Sequence, residues 1–215
     1  TYVLNGVKTM VLLGDVAQQF LVIANENGVP GAYVVPADAK GLSIEKEKFM
    51  GLHAINTSRV TLDNVTVALF NKLGTDDKPF QLQRLLDLSR IGLCAMSLGC
   101  AEAMLEYVSA YVNERVAFGE PISHRQSVAF MVANIAIELE AMRMMVYRAA
   151  ARAERGLDFH REAYLAQVFC AEKTMEIGNN GVQLLGGHGF IREHMVELWY
   201  RNLRAVGILE GAACV

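Results

Sequence analysis

The chain ends RNLRAVGILEGAACV, and in that run one carboxylate, Glu210, stands among Val, Ile, Leu, Ala and Cys, with Gly211 directly after it. A carboxylate among apolar residues is solvated, paired or used in chemistry. Apolar surroundings disfavour its charged form and raise its proton affinity toward neutral pH, which suits a general base. The same residue also reads as a surface Glu at a helix end, and the segment by itself does not choose. Three other segments combine polar side chains with glycine or with each other. In NERVAFGEP, Arg115 precedes Phe118, Gly119 and Pro121 at the end of a helical stretch. Its guanidinium there can hold a phosphate through paired N–H donors, or simply offset the negative end of a helix dipole. In GVQLLGGHGF, Gly186, Gly187 and Gly189 let backbone approach a ligand, and Gln183 offers an amide one turn earlier. The alternative is a plain helix stop. In DLSR, Asp87 and Arg90 share a helix face at the spacing of a surface ion pair.

Two periodicities divide the chain that must position these groups. From Tyr2 to about Phe70 the pattern is strand and turn. YVLNGVKTMVLLG holds two apolar runs around Asn5-Gly6, a hairpin signal, and QFLVIANENGVPGAYVVP repeats it around Asn27-Gly28 and Pro30-Gly31. LSIEKEKF alternates roughly, and SRVTLDNVTV alternates with Val60, Leu62, Val65 and Val67 apolar apart from a turn at Asp63-Asn64. After NKLGTDDKPF the period becomes helical. Helices are expected near 85–113, 123–155, 161–185 and 196–206, with Ser123 as N-cap and Gly156 as C′ residue of the second. The MRMMVY segment reads as core filling. The expectation is an α+β chain: an antiparallel β-sandwich or barrel over residues 1–75, then an antiparallel four-helix bundle over 76–215.

Composition narrows the class. Hydrophobic residues make up 53% of the 215 and charged residues 20%, on the apolar side for a globular chain, as buried helices or a large subunit interface would produce. A net charge of −3 gives no basic surface for a nucleic-acid backbone. Apolar stretches are expected to stop short of the roughly 20 residues of a membrane span, and the opening Thr1-Tyr2-Val3 reads as strand rather than as a signal peptide. Cys94, Cys100, Cys170 and Cys214 form no C-x-x-C pair and read as reduced packing residues of a cytosolic protein. The five histidines, His53, His124, His160, His188 and His194, lack the i, i+4 spacing of helical metal ligands, so no metal site is expected.

Taken in this order and spacing, the segments resemble the acyl-CoA dehydrogenase family, flavoenzymes of acyl-CoA and fatty-acid metabolism. The resemblance covers nearly the whole chain, from a middle β-domain into a C-terminal helical domain. It implies FAD as cofactor, an acyl-CoA substrate, an electron-transfer flavoprotein or similar acceptor, and a homo-oligomer, dimer or tetramer. It also implies a cytoplasmic location, or the mitochondrial matrix in a eukaryote. Arg115, Phe118 and Gly119 match the family's R-x-x-F-G loop, which reaches the FAD of a neighbouring subunit, and Gln126 takes the glutamine position after it. Gln183, Gly186 and Gly187 match Q-x-x-G-G and should meet the adenosine diphosphate part of FAD. Asp87 and Arg90 match D-x-x-R, on the CoA side of the thioester. Glu210, followed by Gly211, falls on the catalytic base, removing the α-proton while a hydride leaves the β-carbon for flavin N5. Ser89 holds the position where some members carry that base, and a hydroxyl cannot serve. The chain departs from the family at Met10 and Leu12, where W-[IV]-[ST] is usual, and at Ala212 and Cys214 after the Glu-Gly pair. It also begins inside the β-domain, so it is expected to be a piece of a longer protein. Two other outcomes fit the same residues: a flavin oxidase or monooxygenase of this fold, and a flavin-poor, non-catalytic partner subunit.

Overall fold

In YVLNGVKTMVL the apolar residues do not return on themselves at Asn5-Gly6; they run on as one strand. The computed structural model describes residues 1–75 and 77–209, and divides into two units, 1–82 and 83–215. The division lies later than the expected 75/76. The intervening residues close a turn on the first unit, with Gly74 bridged to Pro79 and Thr75 exchanging backbone hydrogen bonds with Lys78.

The first unit has six strands: β1 (Tyr2–Leu12), β2 (Gln19–Glu26), β3 (Val29–Pro36), β4 (Leu42–Glu47), β5 (Thr57–Val67) and β6 (Lys72–Leu73). They form two antiparallel three-stranded sheets, ordered β1-β5-β4 and β2-β3-β6. Leu4, Phe20, Val22, Tyr33, Val35, Val60, Leu62, Val65 and Val67 make one core between them, so the unit is a small sandwich. The Asn27-Gly28 hairpin is present, with both residues at positive φ, as a two-residue turn matching strand twist requires. Pro30 and Gly31 lie within β3 rather than in the turn, paired to Asn25 and Ala24.

Asn5-Gly6 and Asp63-Asn64 are corrected from turns to a β-bulge. Between the pairs Leu4–Val65 and Gly6–Leu62, the single residue Asn5 faces both Asp63 and Asn64. Asn5 Oδ1 accepts the Asn64 backbone N–H at 2.7 Å. The extra residue moves the buried set of β5 from even positions (Val60, Leu62) to odd ones (Val65, Val67) while keeping it on one face. A second bulge puts Thr9 and Met10 opposite Arg59, with Met10 at φ 56 and its N–H bonded to Glu47 Oε2 at 2.9 Å. β6 is held by Lys72, whose ammonium pairs with Glu26, while the buried Tyr33 hydroxyl donates to the same carboxylate at 3.0 Å. These two donors hold the Glu26 carboxyl below its ordinary pKa.

The second unit contains α1 (Leu82–Glu114), the short hairpin β7–β8 (Val116–Ala117, Glu120–Pro121), α2 (Gln126–Glu154), α3 (His160–Leu184) and α4 (Val196–Leu203). Each helix buries one stripe, with Ile91, Cys94, Leu98, Met104 and Val108 from α1, Ile135, Leu139, Met142 and Val146 from α2, and Ala163, Cys170, Ala171 and Ile177 from α3 in one core. α1 and α3 approach so closely that a Cβ on Gly181 would lie 2.2 Å from Met104 Sδ. α2 ends as its sequence indicates: Gly156, at φ 69, donates to Ala153 O and Leu157 to Arg152 O, satisfying two terminal carbonyls. Ser123 is not its N-cap. It sits in a 3₁₀ turn, Ile122–His124, that closes with Arg125 N–H on Ile122 O, and α2 opens only after it. The MRMMVY segment divides: Met142 is buried, whereas Met144 and Tyr147 are 63% and 59% exposed.

α1 also corrects the expectation on apolar length, because it is long and apolar enough to cross a membrane by length and composition alone. Its buried stripe lies in the helical core and carries the carboxylate of Asp87. A core helix accounts for the same composition.

Candidate functional site

Two of the segments singled out in the sequence, NERVAFGEP and GVQLLGGHGF, meet at one place. The end of α1, the β7–β8 hairpin, the start of α2 and the end of α3 enclose an open cleft of about 690 Å³. Arg115, Phe118, Gln183, Gly186 and Gly187 all line it, together with Tyr111, Arg125, Ser127 and His188. The hairpin explains Phe118 and Gly119: the turn between β7 and β8 puts both at positive φ, 58° and 87°. That turn thrusts the Phe118 ring out, 94% exposed, with one face covered by the Arg125 guanidinium at 5.3 Å from the ring centre. Arg125 also pairs with Glu120 at 3.4 Å. Arg115 is exposed and its guanidinium has no ion-pair or hydrogen-bond partner among the described residues. Gln126, the first residue of α2, is exposed but does not line the cleft, although both its neighbours do.

The glycines of the loop after α3 have different causes. Gly189 is required by packing, since a Cβ there would lie 2.3 Å from Val182 O. Gly186 is required by backbone, at φ 56. Gly187 is required by neither: its φ is unexceptional and a Cβ would meet nothing within 4 Å. A cleft wall kept bare where the fold makes no demand fits close approach of a ligand backbone or phosphate. With a free guanidinium, an exposed ring and an amide alongside, the residues present fit the dinucleotide end of FAD.

A second polar group lies at the other end of α1. Asp87 is 2% exposed, so it is not the surface ion pair that its spacing allows. Its carboxylate takes Arg90 Nη1 and Gln83 Nε2, each at 3.0 Å, and the His160 ring at 3.0–3.1 Å. Arg90 stacks on Tyr164, and its Nε is buried without a partner. Sequence periodicity places Asp87 and Arg90 together; the contribution of His160 from the first turn of α3 has no local signal.

A cluster that sequence reasoning missed starts in the cleft wall, at Tyr111 and His188, and continues beyond it. Tyr111 and His188 share a 2.6 Å hydrogen bond, and Tyr107 and His194 one of 2.7 Å. The two imidazoles are 5.3 Å apart, centre to centre, and Trp199 closes on Tyr107 edge-on at 5.7 Å. The histidine spacing speaks only to metals; the signal that could have found the cluster is the i, i+4 pair of rings on α1, Tyr107 and Tyr111. Among the described residues no three His, Cys, Asp or Glu gather as a metal site. The described cysteines are free thiols. Burial pushes Cys100 up to about 11, and the hydrogen bond that the Cys170 thiol makes to Cys94, with burial, raises Cys170 as well, so neither Cys100 nor Cys170 is set up as a thiolate nucleophile.

Glu210, Gly211, Ala212 and Cys214 lie outside the described residues. The segment leading to them is seated on α3: Gln167, 1% exposed, donates through Nε2 to Leu209 O at 3.3 Å, and Thr174 Oγ1 lies 3.4 Å from Leu203 O.

Residues 80–215 match the model of the acyl-CoA dehydrogenase C-terminal domain. The chain is 35% identical to an acyl-CoA dehydrogenase of Bacillus subtilis, over 98% of this chain and 57% of that protein. It is 34% identical to the caffeyl-CoA reductase–Etf complex subunit CarC of Acetobacterium woodii, over 100% and 58%. Its fold superposes on butyryl-CoA dehydrogenase from Megasphaera elsdenii with a TM-score of 0.90 at 32% identity, over 99% of this chain and 57% of that one. The chain thus spans a little over half the length of the curated relatives it matches.

Proposed function

Because the chain belongs to the acyl-CoA dehydrogenase family, we propose that it supplies the β-domain and helical domain of an enzyme that desaturates an acyl-CoA thioester between Cα and Cβ. FAD is the family's cofactor and, when bound, supplies the acceptor, at N5, for the hydride that leaves Cβ. The observation that carries the reading is the cleft, where Arg115, Phe118, Gln183, Gly186 and Gly187, scattered over 70 positions of sequence, face one volume. Arg115 holds a phosphate oxygen, the bare Gly187 wall lets the diphosphate approach, and Gln183 hydrogen-bonds the adenosine. Gln126 stays a weaker candidate, beside the cleft rather than in it.

Glu210 is the base in this reading. It takes the α-proton, made acidic by the thioester carbonyl, while the electron pair of the Cβ–H bond departs as hydride, so that the C–C single bond becomes double. Gly211, next to Glu210 in sequence, is the proposed substrate contact beside it. Asp87 and Arg90 serve the CoA side, the Asp87 carboxylate oriented by its part-buried hydrogen bonds to Gln83 and His160 and itself holding Arg90. The relatives named above are dehydrogenases and a reductase, which does not favour the oxidase alternative. We propose an electron-transfer flavoprotein as acceptor, in line with the Etf complex to which CarC belongs. A homo-oligomer fits the exposed Phe130, Ile137 and Met144, which recur every seven residues along α2. A cytoplasmic or mitochondrial-matrix location is consistent with the free thiols.

The full-length protein, mixed anaerobically with a panel of acyl-CoAs, should lose its flavin absorbance with at least one of them. Glu210→Gln should abolish the bleaching while leaving the flavin bound. Full turnover in that variant would remove Glu210 from the role.

A further inference from the structure

We infer that His188 is a nucleotide contact: Tyr111 holds one ring nitrogen, and the other, Nε2, donates to a phosphate oxygen of the group in the cleft. This rests on the reading of the cleft as the site of the FAD diphosphate. Tyr111 Oη lies 2.6 Å from His188 Nδ1, and 3.5 Å from Leu185 O. We assign the phenol's single proton to the shorter contact, 2.6 Å to Nδ1 rather than 3.5 Å to Leu185 O, and a neutral imidazole then keeps its own proton on Nε2. The His188 ring has no other hydrogen-bond partner among the described residues. A donor with nothing to bind, half-buried in the wall of a cleft that also holds Arg115, suits an acceptor-only anionic oxygen.

Two comparisons within the molecule sharpen the assignment. Arg125 lines the same cleft, yet its guanidinium is already engaged by Glu120 and the Phe118 ring. Arg115, Gln183, Ser127 and His188 line the cleft with side-chain donors left without a partner among the described residues, and of these only Arg115 and His188 carry groups of the kind that bind phosphate. His194 repeats the Tyr–His unit, bonded to Tyr107 at 2.7 Å and packed 5.3 Å from His188, but it does not line the cleft. The second unit therefore serves as an internal control for a purely structural role.

The test is a titration of flavin-stripped protein with FAD, with ADP as competitor, alongside thermal melts. His188→Leu should raise the FAD dissociation constant about tenfold or more, the loss of one hydrogen bond to a charged group. His188→Gln, which keeps an N–H donor, should recover part of it, and Tyr111→Phe should weaken FAD a few-fold by freeing the ring. His194→Leu should lower the melting temperature as much as His188→Leu while leaving FAD affinity unchanged. Wild-type FAD affinity in His188→Leu overturns the inference, and so does a parallel loss in His188→Leu and His194→Leu that follows their melting temperatures. Arg115→Ala separates the two levels. If it leaves FAD affinity intact, the cleft reading falls and this inference with it; if it weakens FAD while His188→Leu does not, only the inference falls.

Discussion

The two ends of α1 are fastened to the rest of the helical unit by opposite chemistry. Toward its N-terminus, the fastening is one buried carboxylate, Asp87, surrounded by an arginine, a glutamine amide and an imidazole. Toward its C-terminus it is a stack of rings, in which Tyr107 and Tyr111 each bond a histidine and the rings pack edge to face. Both link α1 to α3 or to the residues after it, far away in sequence. The charged end draws its strength from desolvation, so its energy is concentrated in one residue whose removal leaves several donors unsatisfied. The ring end spreads its energy over apolar contact and two Tyr–His hydrogen bonds, so that no single atom dominates. A concentrated charge fixes a position sharply; a ring stack gives a firm but more forgiving wall for the adjoining cleft.

The comparison can be broken most directly at Asp87. Asp87→Leu should cost about 3 kcal/mol of unfolding free energy in denaturant titration, because Arg90, already with a buried unpartnered Nε, loses its counter-ion. A cost under about 1 kcal/mol would show the carboxylate to be no anchor. Tyr107→Phe keeps the ring and deletes one hydroxyl, so about 1 kcal/mol is expected in the same measurement. A loss as large as that of Asp87→Leu would erase the distinction between the two ends. The smallest effect is the most diagnostic of their independence. Asp87 and Tyr107 lie about 30 Å apart along the helix at 1.5 Å per residue, so the double variant should equal the sum of the singles within about 0.5 kcal/mol. A larger coupling would mean that α1 responds as one lever, with its two fastenings sharing strain.

Much of this organisation was legible before any coordinates. Hydrophobic period fixed strand and helix for most elements, because period 2 and period 3.6 bury different residues and cannot be confused over a long run. Arg115, Phe118, Gln183 and the Gly186-Gly187 pair stood out by residue type at segment ends, and they do meet at one cleft. Where reading failed, a local rule met a nonlocal partner. Asn5-Gly6 has the composition of a hairpin turn, yet both of its flanks pair with the same strand, β5, so the pair becomes a bulge. Ser123 has the chemistry of an N-cap, but a 3₁₀ turn takes that place first. Asp87 and Arg90 have the spacing of a surface pair, and only the arrival of α3 buries them.

The sequence by itself determined the elements, the divide between sheet and helices, and the kinds of group able to hold a phosphate or remove a proton, since these depend on neighbours within a few residues. Tertiary structure alone decided which of those groups share a volume. It sealed Asp87 from water, gave His160, His188 and His194 their partners, and left Gly187 facing open space. Those outcomes depend on distances between residues that the chain separates by 70 or more positions, and no local pattern encodes them.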